Sequence, residues 1–100
     1  MSAAPGVDRR RVVLAKLGEV ARKLEAILSG QEVTLADIQL PQDRDPAETP
    51  LERLRAFQAL LQRTLEALRR GEVRTCERCG GRVPDAALDE TPWVTACGRC

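Results

Sequence analysis

The sequence Cys76-Glu77-Arg78-Cys79 is followed, after seventeen residues, by Cys97-Gly98-Arg99-Cys100, and these two stretches decide how the chain folds. Two residues between a pair of cysteines let both sulfurs point at one ion, and a second such pair completes a tetrahedron. Every cysteine of the chain stands in these pairs, and no histidine offers another ligand. The spacing therefore predicts one zinc ion bound by Cys76, Cys79, Cys97 and Cys100. Because four thiolates leave no position open for water, we expect a structural site.

Two other uses of the cysteines have to be weighed against a metal. Two disulfides are one alternative, but residues 1–7 lack the apolar core of a secretory signal, so we expect a cytoplasmic protein with reduced thiols. A redox-active dithiol is the other, but no thioredoxin-like pattern of strands and helices surrounds the pairs. No apolar run approaches the ~18 residues that a membrane span needs. A cytoplasmic metal protein without a membrane segment is the favoured interpretation.

Two segments with helical periodicity precede the cysteines. Apolar residues recur at intervals of three and four at Val13, Leu17, Val20, Leu24 and Ile27, and again at Leu51, Leu54, Phe57, Leu61, Leu65 and Leu68. Asp8 is a candidate N-cap for the first helix, and Gly30 is placed to end it. Thr49-Pro50-Leu51-Glu52 has the form of a capping box with proline at the first helical position, and Gly71 stops the second helix. Because lengths and apolar stripes match, we predict an all-α fold: an antiparallel helical hairpin (coiled coil) followed by a small C4 zinc finger at its base.

This interpretation divides the chain into a disordered tail (1–7), a helical hairpin (8–70) with an acidic connection (30–49), and the finger (71–100). The segments of the two helices carry net charges of +4 and +3, whereas the connection carries −4. On composition alone, a solvated loop between solvated helices explains this pattern. Trp93 is expected to pack over the finger core or against the base of the first helix. The whole chain has a net charge of +1, so overall charge does not favour binding to nucleic acid.

Residues 71–100 carry a further pattern around the cysteines. Its elements are the cysteine spacing, Gly80 after the second cysteine, the Val83-Pro84 step, Leu88, and Pro92 five residues before the third cysteine. This pattern resembles the zinc finger of the DksA/TraR family, which are bacterial regulators that bind RNA polymerase. The family usually has an arginine where this chain has Ala87, a small alanine where it has Glu90, and an aromatic residue where it has Val73. Upstream of residue 71 the resemblance is looser.

The resemblance implies a zinc-binding transcription regulator that binds RNA polymerase. In the family, a helical hairpin enters the secondary channel of the polymerase, and acidic residues at its tip act near the catalytic centre. The family's tip motif is similar to Asp-x-x-Asp-x-Ala, and Asp45 and Ala47 fit its second half. Its first aspartate would fall at Gln42, one place before Asp43. Asp43, Asp45 and Ala47 are therefore the candidate partner-binding residues, although the two aspartates could simply favour a turn before the second helix.

Two other functions stay open on the sequence alone. A zinc ribbon that binds nucleic acid would use the arginines near the cysteines. Residues 71–100 carry a net charge of −1 before zinc is counted, however, which disfavours phosphate contacts and sequence-specific DNA binding. A plain interaction module would use the hairpin stripe to bind a partner helix or a second copy, and we expect a monomer or a weak dimer. No phosphate-binding loop or nucleophile–base pair is evident, so we do not expect an enzyme.

Overall fold

The computed structural model describes residues 8–35, 47–72 and 74–97 of the chain. Three helices lie in these ranges: α1 (Arg9–Leu28), α2 (Pro50–Arg70) and α3 (Asp85–Glu90). The same ranges contain no strand, and their single pairing of extended backbone is an isolated antiparallel bridge between Thr75 and Arg82. The described part of the chain is therefore mostly helical, as the sequence predicts.

Helix α1 begins and ends where the sequence predicts. The side chain of Asp8 accepts a hydrogen bond of 3.2 Å from the N–H of Arg11, which pairs one of the open donors of the first turn. At the other end, Gly30 takes a left-handed conformation with a φ of +86°. The N–H of Gln31 then donates to the carbonyl of Ala26 at 2.9 Å. Glycine favours this Schellman-type end because it has no Cβ to oppose the left-handed turn.

Helix α2 begins with the predicted capping box. The side chain of Thr49 accepts a hydrogen bond from the N–H of Glu52 at 3.1 Å, and the carboxylate of Glu52 accepts one from the N–H of Thr49 at 2.9 Å. Pro50 stands at the first helical position, where its missing N–H breaks no helical hydrogen bond. The helix ends at Gly71, which has a φ of +70°. Local signals at both ends thus fix the length of this helix.

Helix α1 packs along α2 in the antiparallel direction. Ile27 near the end of α1 and Leu51 at the start of α2 accordingly line the same cavity. The helix residues buried in the shared core are Val13, Val20, Leu24, Leu54, Phe57 and Leu61. All of them belong to the stripes that the sequence spacing identified. Burying one such side chain contributes about 1.5–3 kcal/mol, so the paired stripes supply the main stabilisation that neither helix has alone.

The cysteine-rich segment completes this core through Trp93. Its side chain is 9% exposed and belongs to the same buried cluster as the helix stripes. Its ring meets that of Phe57 edge-on, with centroids 5.6 Å apart, and Nζ of Lys16 lies 5.9 Å from its centroid. Both neighbours stand eighth in their helices, so Trp93 packs midway along the hairpin. The sequence analysis placed Trp93 over the finger core or at the base of α1, whereas it lies further along the hairpin, between the two helices.

Helix α3 is a six-residue helix that the sequence analysis did not predict. It follows Pro84, and no side chain caps it. Arg9, the first residue of α1, donates from Nε to Oδ1 of Asp89 at 2.7 Å and from Nη2 to the carbonyl of Asp85 at 3.2 Å. These contacts tie α3 to the N-terminal end of α1, the end at which the finger was expected to meet the hairpin.

Some predictions fall outside the described residues. They concern the disordered tail (1–7) and most of the acidic connection (30–49), while the domain division at residue 71 stays a prediction. None of the helices in the described ranges combines the length and the apolar character that crossing a lipid bilayer requires.

Candidate metal centre

A tight turn carries the first two cysteines. The N–H of Gly80 donates to the carbonyl of Cys76 at 2.9 Å, and the N–H of Cys76 donates to the carbonyl of Gly81 at 2.7 Å. Gly80 has a φ of +76°, a conformation that a residue with a Cβ adopts only under strain. The turn therefore explains why glycine follows the second cysteine, and it brings the thiols of Cys76 and Cys79 close together.

Cys97 joins these two cysteines. The three sulfur atoms lie within 4.8 Å of one another, and Sγ of Cys79 is 3.6 Å from Sγ of Cys97. Sulfurs bound at ~2.3 Å to one tetrahedral ion lie ~3.8 Å apart, whereas disulfide sulfurs lie ~2.0 Å apart. All three are free thiols, and their spacing suits a shared ion. Cys100 lies outside the described residues, so the structure brings together three of the four predicted ligands.

Backbone N–H groups point at these sulfurs. The N–H of Arg78 donates to Sγ of Cys76 at 3.3 Å. The N–H of Gly81 acts to lower the pKa of Cys79, but hydrogen bonds with the thiols of Cys97 and Cys76 outweigh it and raise that pKa above the ordinary value of 9.0. Thiols packed this closely resist ionisation together because their thiolates repel one another, and a bound cation removes that resistance. N–H donors aimed at sulfur also stabilise metal-bound thiolates.

The candidate metal centre has a buried side and an open side. Cys76 is 3% exposed, Cys97 is half-buried and Cys79 is exposed. The buried apolar neighbours of Cys76 are Val83 and Leu88. The N–H of Glu77 donates to the carbonyl of Thr95 at 2.9 Å, which ties the first turn to the segment that carries Cys97. The site is therefore anchored on its inner side, with its outer edge accessible to solvent.

Adjacent residues connect this centre with the helical core. Val94 packs against the buried cluster around the cysteines, whereas Trp93 packs against Phe57 in the hairpin. Cys97 follows only four residues after Trp93 along the chain. The position of the third thiol thus depends on how this segment docks on the hairpin. The sequence analysis missed the partner of Trp93 because no local signal identifies a contact across 36 residues.

One of the three candidate partner-binding residues, Ala47, is described, and it lies away from the cysteines. Asp43 and Asp45 fall outside the described residues. Ala47 is exposed and lies in a turn two residues before the N-cap of α2. The full length of α2, about 32 Å, separates this end of the hairpin from the end that leads to the cysteines.

The donor set determines what this site can do chemically. Thiolate sulfur is a ligand for zinc and for other metals that prefer soft donors. Cys76, Cys79 and Cys97 are the described residues that would hold such an ion, and their geometry fits one. The cluster is thus compatible with metal binding, and its N–H donors support the anionic form that binding requires.

Comparison with known proteins relates part of the chain to one of undetermined role. Over 36 residues, or 36% of its length, the chain is 39% identical to an uncharacterized protein of Aquifex aeolicus (strain VF5). The match covers 25% of that relative, so the chain spans about a quarter of its length. No family model matches the chain, and no solved structure does. What this protein does therefore has to be inferred from its own cysteine cluster and helices.

Proposed function

We propose that the chain is a DksA/TraR-type regulator that holds one structural zinc ion and binds bacterial RNA polymerase, without enzymatic activity. The observation that best supports this proposal is the combination of three gathered thiols with a two-helix hairpin in one small chain. The resemblance over residues 71–100 implies the same combination. A protein with this role would act in the bacterial cytoplasm.

Zinc is the proposed metal, and Cys100 is the proposed fourth ligand. Zinc favours tetrahedral sites of four thiolates, and such closed sites stabilise a fold without activating water. Metal analysis of the purified chain should find one zinc per molecule. The cobalt-substituted chain should show the visible absorption of a tetrahedral thiolate site, and Cys100→Ser should weaken metal binding. Full affinity in Cys100→Ser would remove that residue from the proposed ligand set.

The secondary channel of RNA polymerase is the proposed binding site. The two helices carry net positive charge and the connection between them carries net negative charge. An acidic tip on such a rod could approach a magnesium ion or basic residues of a channel. On the resemblance, Asp43, Asp45 and Ala47 are the proposed tip residues, with the two carboxylates as the acting groups.

The test combines polymerase capture with transcription assays. The zinc-loaded chain is mixed with bacterial core RNA polymerase and co-purified, and its effect on transcription from several promoters is measured. The double variant Asp43→Asn/Asp45→Asn should still bind but lose its effect on transcription. The matched control is Glu32→Gln/Asp37→Asn, which removes two negative charges from the same connection and should keep the effect.

Each result has a distinct meaning. If both double variants lose the effect equally, overall charge and not the tip motif is responsible. If the zinc-loaded wild type binds neither free polymerase nor polymerase on a promoter, the proposed partner is wrong. The metal-centred chain would then be an interaction module of another kind.

A further inference from the structure

Helix α1 carries a second apolar stripe, separate from the one buried against α2. Leu14, Ala21 and Leu28 stand seven residues apart, so they lie along one line on the helix surface. All three are exposed, and the two leucines keep 54% and 67% of their surface in solvent. In the described residues they are the exposed large hydrophobic side chains. The inner stripe is already covered by α2 and Trp93, so among the described residues the outer stripe is the apolar surface that α1 still offers to a partner.

The outer stripe is symmetric about Ala21. Leu14 and Leu28 each lie seven residues, or about 10.5 Å, from it. A two-fold axis at Ala21 would set Leu14 of one copy against Leu28 of the other, twice, and would set the small Ala21 side chains against each other. Such self-complementarity is what a two-fold interface between identical chains requires.

The charges within the stripe favour the antiparallel orientation. Between its apolar positions the stripe carries Gly18 and Glu25, which an antiparallel pairing about Ala21 places at nearly the same level on opposite copies. Gly18 has no side chain in the way, and Nη1 of Arg22 lies 3.5 Å from the position that a Cβ on Gly18 would take. The carboxylate of each Glu25 would thus meet the guanidinium of the partner's Arg22. A parallel dimer would instead set the two Glu25 side chains on opposite flanks of the interface, away from the partner's Arg22, so it would lack this pairing.

We propose that the outer face of α1 binds a second copy of this chain in an antiparallel dimer. The two Arg22 and two Glu25 side chains form a neutral set at its centre, flanked by the leucine pairs. No ion pair to Arg22 or Glu25 exists among the described residues, so both are available. The stripe spans only about 21 Å, so the interface is small and the dimer should dissociate reversibly. The two candidate metal centres lie at opposite ends of this dimer.

Sedimentation equilibrium of the metal-loaded full chain from about 5 to 500 μM tests the proposal. The apparent mass should rise from 11.0 kDa toward twice that value. Leu14→Lys and Leu28→Lys should each weaken dimerisation about tenfold or more, because a charge replaces a buried apolar contact. Gln62→Lys adds the same charge at an exposed position of α2 and should leave the dimer unchanged. Circular dichroism checks that every variant keeps its helices.

A charge swap tests the antiparallel register. Arg22→Glu and Glu25→Arg should each weaken the dimer, and the double variant should restore it to within a few-fold of the wild type, because the two groups meet across the interface. A chain that stays at 11.0 kDa at every concentration overturns the proposal. Dimerisation that is unchanged by Leu14→Lys and Leu28→Lys overturns it as well. So does a double charge swap that weakens the dimer by the sum of the two single effects. None of these outcomes depends on polymerase binding.

Discussion

Trp93 is the residue through which the cysteine-rich segment and the hairpin share one core. Trp93→Ala should lower the free energy of unfolding by about 3 kcal/mol, because it removes a buried indole and its edge contact with Phe57. Urea denaturation of the metal-loaded chain, followed by circular dichroism, measures this loss. Trp93→Phe keeps an aromatic ring at the position and should lose clearly less. Equal losses in the two variants would show that the indole does not fill a tightly packed site.

The thiol of Cys79 makes metal binding depend on pH. In the gathered cluster its pKa is raised above the ordinary value of 9.0, because hydrogen bonds with the neighbouring thiols outweigh the opposing N–H of Gly81. Cys79 therefore has to release a proton when it binds a cation, and protons compete with the metal for the site. The apparent metal affinity should fall as the pH is lowered and rise as the pH approaches 9.0.

Competition with a chelator at several pH values measures this dependence. Cys79→Ser is the matched control, because it lacks one of the thiols that lose a proton on binding, and its metal affinity should change less steeply with pH. Equal slopes for the two chains would contradict the role given to this thiol.

At the scale of elements, the capping box of α2 is a reciprocal pair. Thr49→Ala should cost about 1 kcal/mol, since it leaves the N–H of Glu52 without its acceptor. Glu52→Ala removes the return bond to the N–H of Thr49. Because the two bonds support one geometry, the double variant should lose less than the sum of the single losses, as measured by a double-mutant cycle in urea. Strict additivity would mean that the two bonds act independently.

The contact between α1 and α3 depends on Arg9. Its side chain is 26% exposed, and its guanidinium reaches both Asp89 and Asp85. Arg9→Ala should cost about 0.5–1 kcal/mol at low salt and less at high salt, because these carboxylates are partly solvated and screened. Arg10→Ala removes a neighbouring exposed arginine with no ion pair in the described ranges, and it should be nearly neutral. Thermal melts of both variants at two salt concentrations measure these losses. Equal losses in Arg9→Ala and Arg10→Ala would rule out a specific contribution from the contact between Arg9 and α3.

The ends of the two long helices and the apolar stripes by which they pair were predictable from sequence, whereas the way the cysteine-rich segment docks on them was not. Asp8 and Thr49 act on donors within three residues, and Gly30 and Gly71 supply the left-handed turns that end α1 and α2. The cysteine turn is equally local, since its spacing and Gly80 lie within five residues. Helix α3 carries too few residues for a periodic signal.

Long-range contacts follow a different logic. The pairing of Arg9 with Asp89 joins residues 80 positions apart, and many arginines and acids of this chain could have formed it. Phe57 is the one other aromatic residue of the chain, but whether Trp93 contacts it depends on how the segment docks, which is decided by packing over the whole chain. Spacing in the sequence could therefore predict that Cys76, Cys79 and Cys97 come together, but not that their segment docks midway along the hairpin.

For the molecule as a whole, the shared core means that the metal should stabilise more than the cysteine turn. Residues 74–97 contain the three thiols, the hydrogen bond between Glu77 and Thr95, and the contact of Trp93 with the hairpin. Removing the metal leaves the thiols without the cation that gathers them, so this segment should lose its structure. Trp93 would then leave the hairpin, and its fluorescence should shift to longer wavelength. The matched control is Cys79→Ser, in which added chelator should change the fluorescence much less.

Hydrogen exchange after chelation shows how far the loss extends. Amides of residues 74–97 should lose protection first, while those at the inner stripe of α1 and α2 should keep part of theirs, because the two helices still bury their apolar faces against each other. Trp93 fluorescence that stays unchanged after metal analysis proves complete removal would contradict a metal-organised segment. Simultaneous loss of protection in the segment and in both helices would instead mean that Trp93 is indispensable to the hairpin, and Trp93→Ala should then unfold the metal-loaded chain as well.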